Sequence, residues 1–256
     1  MSGYATLITG SSRGIGKGIA LALAREGFAV AVNARKLGEE VETTVAELQA
    51  LGVAAAPVVG DVGDIDSHAA MLDAAEAALG PLTTLVNNAG VSVMNRGDLL
   101  EVTPESYDRC QTINTRGAFF LTQDWARRVL DRERDPALHH SVITVSSANA
   151  QAASILRGEY CVSKSGMSMM AKLFAVRLGG EDIGSYEIQP GLIETDMSAP
   201  AQDMYRHRIE EGLTITQRMG LPSDMGSIAA AMATGQIAFC TGQSVQADGD
   251  LLIPRF

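Results

Sequence analysis

The sequence predicts an α/β fold: a parallel sheet covered by helices on both faces. Two observations carry the prediction. Apolar runs at residues 5–9, 28–32, 53–59 and 82–86 alternate with longer Ala/Leu/Glu-rich segments of helical period, the pattern of successive βαβ units. Those runs are nearly continuous rather than alternating apolar with polar, as strands buried on both faces require.

Between the first strand and the first helix lies Thr9-Gly10-Ser11-Ser12-Arg13-Gly14-Ile15-Gly16, with the spacing Gly-x-x-x-Gly-x-Gly. Glycines let the chain turn sharply there, and N–H groups at the helix N-terminus then face a pyrophosphate. The second strand ends in Asn33-Ala34-Arg35-Lys36, with no carboxylate before Glu39 to accept from a ribose 2′-hydroxyl. Arg35 and Lys36, with Arg13 from the glycine turn, make a clamp for the 2′-phosphate of NADP. Cations where a helix opens oppose its dipole, so a bound phosphate gives them a reason to be there. The expected cofactor is NADP(H).

Residues 104–130 read as helical with a break near 112–115, followed by a strand at 141–146, a helix at 159–178 and a strand at 186–189. After Pro190-Gly191 the pattern is irregular and polar until about residue 218. A stretch of that length beyond a strand's C-terminal end reads as a substrate lid over 192–218. A helix at 222–234 and a strand at 244–247 close the chain. No linker, repeat or low-complexity segment interrupts it, and residues 1–256 read as one domain.

The chemistry centres on Glu159-Tyr160-Cys161-Val162-Ser163-Lys164, where Tyr160 and Lys164, four residues apart, share one helical face. A free tyrosine has a pKa of about 10; an ammonium held nearby lowers it and makes the phenol a usable acid/base. Ser147, thirteen residues before Tyr160, follows the apolar run Ser141-Val142-Ile143-Thr144-Val145-Ser146. A serine at the C-terminal end of such a strand points into the crevice where open α/β sheets bind ligands.

Composition narrows the class. Thirty acidic against twenty basic residues give a formal net charge of −10, which disfavours nucleic acid and anionic membrane surfaces as partners. No segment reaches the ~20 apolar residues of a membrane span, and no charged leader precedes the first strand, so a cytoplasmic protein is expected. Cys110, Cys161 and Cys240 are odd in number and widely spaced, and read as reduced, buried thiols. His68, His139, His140 and His207 show no metal-ligand spacing and read as surface residues.

With these pieces placed, the chain resembles the short-chain dehydrogenase/reductase family over residues 4–248. The resemblance rests on Thr9 to Gly16, Asp61-Val62, Asn87-Asn88-Ala89-Gly90, Asn114, Ser147, Tyr160 with Lys164, and Pro190-Gly191. It implies a Rossmann-like, doubly wound parallel sheet of about seven strands and an oligomer, a homotetramer or a dimer. It further implies Asn114, Ser147, Tyr160 and Lys164 as the catalytic group. Gly10, Ser12, Arg13, Gly14, Ile15, Gly16 and Arg35 would hold the cofactor's phosphates; Asp61 and Val62 would border the adenine. Asn88, Ala89 and Gly90 would support the cofactor at the central strand, and Pro190, Gly191, Ile193 and Thr195 would meet the nicotinamide. By the same resemblance Tyr160 protonates a carbonyl oxygen, Ser147 hydrogen-bonds it, Lys164 binds the ribose and lowers the tyrosine pKa, and Asn114 anchors a relay water.

Within the family, Ser12-Arg13-Gly14-Ile15-Gly16 and Pro190-Gly191-Leu192-Ile193-Glu194-Thr195-Asp196-Met197 are most similar to the 3-oxoacyl-acyl-carrier-protein reductases of fatty acid biosynthesis. Three features depart from that pattern: the acidic Gly179-Gly180-Glu181-Asp182, Asp248-Gly249-Asp250 in place of Asp-Gly-Gly, and the charged loop 131–140. A free small carbonyl substrate such as a sugar, polyol or other ketone is therefore the alternative to an acyl thioester. A non-catalytic NADP-binding protein is a further alternative, against which the complete tetrad argues. Arg157 and Arg96 lie on the substrate side and could hold an anionic substrate group. Met167, Met169, Met170 and Phe174 read as core or subunit interface, as do Trp125 and Leu121, and the apolar tail 251–256 reads as tied down.

Overall fold

The computed structural model describes residues 3–254. Seven strands, β1 (Ala5–Ile8), β2 (Ala29–Ala34), β3 (Ala55–Val59), β4 (Thr84–Asn87), β5 (His140–Val145), β6 (Ile183–Pro190) and β7 (Ser244–Ala247), form one sheet in the order β3-β2-β1-β4-β5-β6-β7. Every pairing is parallel. Strand order reverses between β1 and β4, and ligands bind beyond the carboxyl ends of the strands at such a reversal. Among the described residues eight α-helices accompany the sheet: α1 (Gly14–Arg25), α2 (Glu39–Ala50), α3 (His68–Leu79), α4 (Pro104–Cys110), α5 (Ala118–Leu130), α6 (Gly158–Leu178), α7 (Gln202–Glu210) and α8 (Pro222–Ala233). This is the Rossmann-like fold that the sequence predicts.

The continuous apolar strands supply two cores at once. Ile8, Val30, Val32, Ile143 and Ile188 face Ile19, Leu23 and Met225 on one side. Leu7, Leu85 and Val142 face Met71, Leu72, Leu121, Trp125 and Val129 on the other. Successive strand side chains point to opposite faces, so Leu7 and Ile8 serve different layers.

Helix starts follow local chemistry. The Thr103 hydroxyl accepts from Ser106 N–H at 3.3 Å ahead of Pro104, and the Asp224 carboxylate accepts from Leu221 N–H at 2.7 Å around Pro222. The expected break in the helix of residues 104–130 is a π-helical segment, Gln111–Gly117, between α4 and α5.

Several expectations are corrected. Residues 190–218 are not wholly irregular: they contain α7, whose polar sequence buries only Ile209 and so lacks an apolar period. His68 and His140 are buried, not superficial. The His68 ring sits at the start of α3 with Nε2 2.9 Å from the Val62 carbonyl oxygen. Burial holds His139 and His140 below the usual histidine range. Of the three free thiols only Cys110 is buried; Cys161 is half-buried and Cys240 exposed. Trp125, Leu121, Met167 and Met170 are core residues, as expected, whereas Met169 faces outward. Arg255 and Phe256, the end of the apolar tail, lie outside the described residues.

Candidate active site

Main-chain geometry builds the first half of the site. Gly14 has φ +56°, a left-handed value that suits glycine. A Cβ on Gly16 would lie 2.4 Å from the Gly10 carbonyl oxygen and 2.5 Å from Asn88 Nδ2. At the start of α1, Arg13 makes no side-chain capping bond and the first turn carries no acid. The leading N–H groups of the helix are thus left to an outside acceptor, and the turn fits the pyrophosphate of a dinucleotide. Asn88 Nδ2 donates to the carbonyls of Thr9 (2.9 Å) and Gly10 (3.0 Å), and the N–H groups of Asn88 and Ala89 donate to Thr9 Oγ1. Ser12 is held through its carbonyl, which accepts from Thr44 Oγ1 at 2.9 Å; Ile15 is half-buried in the first turn of α1.

Other predicted cofactor residues ring this turn. The Asp61 carboxylate accepts from Gly63 N–H at 2.9 Å, and Val62 is buried beside it. Pro190 ends β6, the Gly191 N–H donates to the Ala247 carbonyl at 3.0 Å, and Ile193 is buried. Thr195 leans over the glycine turn, its Cγ2 3.5 Å from where a Gly14 Cβ would be.

The second half is built from side chains. Ser147, just past β5, accepts from Asn149 N–H at 3.1 Å and is hydrogen-bonded to the Tyr160 phenol. Tyr160, in the first turn of α6, has the Arg157 guanidinium 5.5 Å and the Lys164 ammonium 5.7 Å from its ring centroid. Burial pushes the phenol up, while the Ser147 bond and the Arg157 charge pull it down. Lys164 is 4 % exposed; its Nζ donates to the Val145 carbonyl at 3.1 Å and lies 3.4 Å from Met167 Sδ. Burial lowers its pKa to about 8, with Glu187 opposing the drop. Asn114, in the π-helical segment, is fully buried. Both its amide hydrogens are committed, to the Val91 carbonyl (3.0 Å) and Ser163 Oγ (2.9 Å), while its oxygen accepts from Val91 N–H. Around Gly90 the two arms meet: a Cβ there would lie 3.3 Å from Asn114 Oδ1 and 3.5 Å from Lys164 Nζ.

Three points differ from the sequence reading. Arg13 pairs with Glu40 at 3.1 Å and approaches Asp196 at 3.8 Å, so part of its charge is already met. Arg35 and Lys36 do not open a helix: α2 begins at Glu39, with Glu39, Glu40 and Glu42 in its first turn, so the dipole argument for them falls away. Arg157, read only as a substrate-side residue, is a cation that pulls the tyrosine down, while Lys164 Nζ turns to β5. Arg96 is exposed.

Sequence reasoning missed two buried residues. Asn33, noted only for not being acidic, ties three strands: its Oδ1 accepts from Gly10 N–H at 3.1 Å, and its Nδ2 donates to the carbonyls of Val58 and Gly60. Glu187 lies in β6 with 1 % exposure, in a run read as an ordinary strand. A charged residue inside a buried strand is the only signal that could have marked it.

Residues 4–206 match the family model described as short chain dehydrogenase. A 3-oxoacyl-[acyl-carrier-protein] reductase of Brucella melitensis, solved in complex with NAD, superposes with a TM-score of 0.95 at 38% identity, covering 99% of this chain and 98% of that one. A gluconate 5-dehydrogenase of Burkholderia cenocepacia, solved with NADP and tartrate, gives a TM-score of 0.90 at 28% identity, covering 100% and 97%. In sequence, the 3-oxoacyl-[acyl-carrier-protein] reductase FabG of Staphylococcus aureus is 31% identical over 245 residues, 96% of each chain. With its glycine turn, its Ser147–Tyr160 contact and its buried Lys164 in one crevice, the chain belongs to the short-chain dehydrogenase/reductase family of oxidoreductases.

Proposed function

We propose that the protein uses NADPH to reduce a ketone to a secondary alcohol, with Asn114, Ser147, Tyr160 and Lys164 as the catalytic group. The observation that carries this reading is the buried Lys164 ammonium 5.7 Å from the Tyr160 ring centroid, with Ser147 acting on the same phenol. The bound nicotinamide supplies the hydride to the carbonyl carbon. As negative charge builds on the carbonyl oxygen, the Ser147 and Tyr160 hydroxyls donate to it, and the phenol gives up its proton. Lys164 steadies the resulting phenolate and meets the ribose. Asn114, with both amide hydrogens committed, anchors a relay water through an oxygen. Asp61 and Val62 border the adenine, and Thr195 meets the carboxamide.

Preference for the 2′-phosphate is supported by Arg35 and Lys36, which stand exposed at the end of β2. Residues 192–218 act as a lid on a single domain spanning 1–256, consistent with Thr195 and Asp196 approaching the glycine turn. An oligomer, tetrameric or dimeric, is supported by the outward apolar row Met169, Leu173 and Val176 on α6. The three free thiols fit a reducing, cytoplasmic setting, and no described helix is long and apolar enough to cross a membrane.

Two substrate classes compete. Similarity to 3-oxoacyl reductases favours an acyl thioester. A free small carbonyl, such as a sugar acid or other ketone, is favoured by Arg157 beside Tyr160 and by the exposed Glu181 and Asp182 at the end of α6, which would repel an acidic carrier. An NADPH-oxidation screen comparing acetoacetyl thioesters with neutral ketones, keto sugars and keto acids decides between them. Tight NADPH binding with no turnover of any carbonyl would instead leave a cofactor-binding protein.

A further inference from the structure

Beneath the catalytic helix lies a carboxylate that the proton transfer described above does not use. Glu187 is sealed between β6 and α6. Its Oε1 accepts from Ser146 Oγ and from Gln189 Nε2 (3.0 Å); its Oε2 accepts from Ser168 Oγ (2.9 Å) and from Ser244 Oγ. Donors therefore converge on it from the end of β5, from β6 itself, from α6 and from β7. All four are neutral. They solvate the charge without cancelling it, and a buried charge without a partner is costly.

The cation facing this seam is Lys164. Lys164 and Ser168 are one turn apart on the inward face of α6. Ser168 reaches Glu187, while Lys164 reaches the carbonyl of Val145, whose strand partner in β6 is Ile188, the next residue after Glu187. Around Lys164 the other elements offer little charge. Cys110, from α4, is held neutral by burial. The π-helical segment contributes the uncharged Asn114, and β5 contributes a carbonyl. On α6 itself stand Tyr160 and Glu159, the latter taken up by Ser106 of α4 at 2.6 Å.

We propose that Glu187 is a positioning residue: its buried carboxylate is the counter-charge that keeps Lys164 an ammonium within the seam between helix and sheet. The two groups form no close ion pair but share the seam through Ser168 and the Val145 carbonyl; in keeping with that placement, burial pulls the Lys164 pKa down to about 8 and the Glu187 charge pulls it up. The consequence for catalysis rests on the role proposed for Lys164, but the pairing is measured without turnover.

The chain has four lysines, so 13Cε-lysine NMR titration resolves Lys164, assigned by its loss in Lys164→Met. In Glu187→Gln, which keeps shape and hydrogen-bonding capacity, the Lys164 midpoint should fall by about one pH unit. The high-pH limb of kcat/KM for reduction should move by the same amount, with activity at pH 6 within about threefold of wild type. A Lys164 midpoint unchanged by Glu187→Gln would overturn the proposal, because a purely structural carboxylate would not move it. If Glu187→Gln does not fold alone, thermal melts of Lys164→Met and of the Lys164→Met/Glu187→Gln double variant decide. The double variant should melt higher than Lys164→Met, whose Glu187 is left unpaired; a lower melt would overturn the pairing. A shifted Lys164 with no turnover of any carbonyl would sustain the pairing and sink the proposed reduction instead.

Discussion

The two ends of the crevice are built from different materials. At the nucleotide end the phosphate-facing groups are mostly main-chain N–H donors, fixed by Asn33, Asn88 and Thr9, and the cations there, Arg13, Arg35 and Lys36, are exposed, Arg13 being paired with Glu40. At the catalytic end the working groups are side chains, and Lys164, Asn114, Glu159 and Glu187 are all under 5 % exposed. A site made of backbone responds to added volume, because atoms that cannot rotate away define it. A site made of buried side chains responds to charge and to pH, because low dielectric magnifies both.

The largest expected contrast comes from Tyr160→Phe, which removes the proton donor and leaves the glycine turn intact. Turnover should fall on the order of 10³-fold, within the range of general acid catalysis. The Kd for NADPH, measured by fluorescence titration, should stay within about twofold. Equal losses in turnover and affinity would show that the two ends are not separable.

Gly16→Ala is the reverse experiment. The new Cβ would meet the Gly10 carbonyl and the Asn88 amide, and neither can yield without opening the turn. Overpacking of this kind costs about 2 kcal/mol, roughly a thirtyfold rise in the Kd for NADPH. Turnover at saturating NADPH should barely change.

The same division explains what the sequence could reveal. The sheet, its two cores and the glycine turn were legible because they follow periodicity and spacing: Leu7 and Ile8 must serve two layers, and glycines at 10, 14 and 16 mark a turn. Tyr160 with Lys164 was legible as a pair on one helical face. Glu187 was not, since its meaning depends on Ser146, Ser168 and Ser244, which come from three other elements and meet only in the folded sheet. Helix α7 escaped because its polar sequence gives no apolar period. His68 escaped because a lone histidine reads as superficial unless its partner, here the Val62 carbonyl, is known.

A third test uses pH. The Lys164 ammonium, stable to about 10.5 in a free chain, is lost near pH 8 in the folded protein because burial disfavours the charge. Below that point the ammonium is present; as pH rises through it, the group that steadies the phenolate disappears. The kcat/KM for reduction should therefore hold level from pH 6 to 7.5, then fall about tenfold for each unit above 8. NADPH affinity, in which the Lys164–ribose contact is one of many and the main-chain donors do not titrate, should change far less over the same range. A parallel fall in affinity would place a titrating group at the nucleotide end.

The smallest effect is expected at Arg157, and it bears on which substrate is taken. The guanidinium lies over the Tyr160 ring and donates to Asn149 Oδ1 at 2.8 Å, so it is held in place rather than loose in solvent. Its charge favours the phenolate, and removing it should slow turnover of every substrate by a few-fold. A substrate carrying a carboxylate would lose more, because the same cation would also hold that group. Arg157→Ala should thus lower kcat/KM about threefold for a neutral ketone and about tenfold or more for a keto acid, the extra loss appearing in KM. Arg157→Lys, which keeps the charge but not the planar fork, should restore most of the first loss and only part of the second. If both substrates stay within about twofold of wild type, Arg157 supports neither the phenol nor an anion, and the case for a small acidic carbonyl over a thioester loses its main residue.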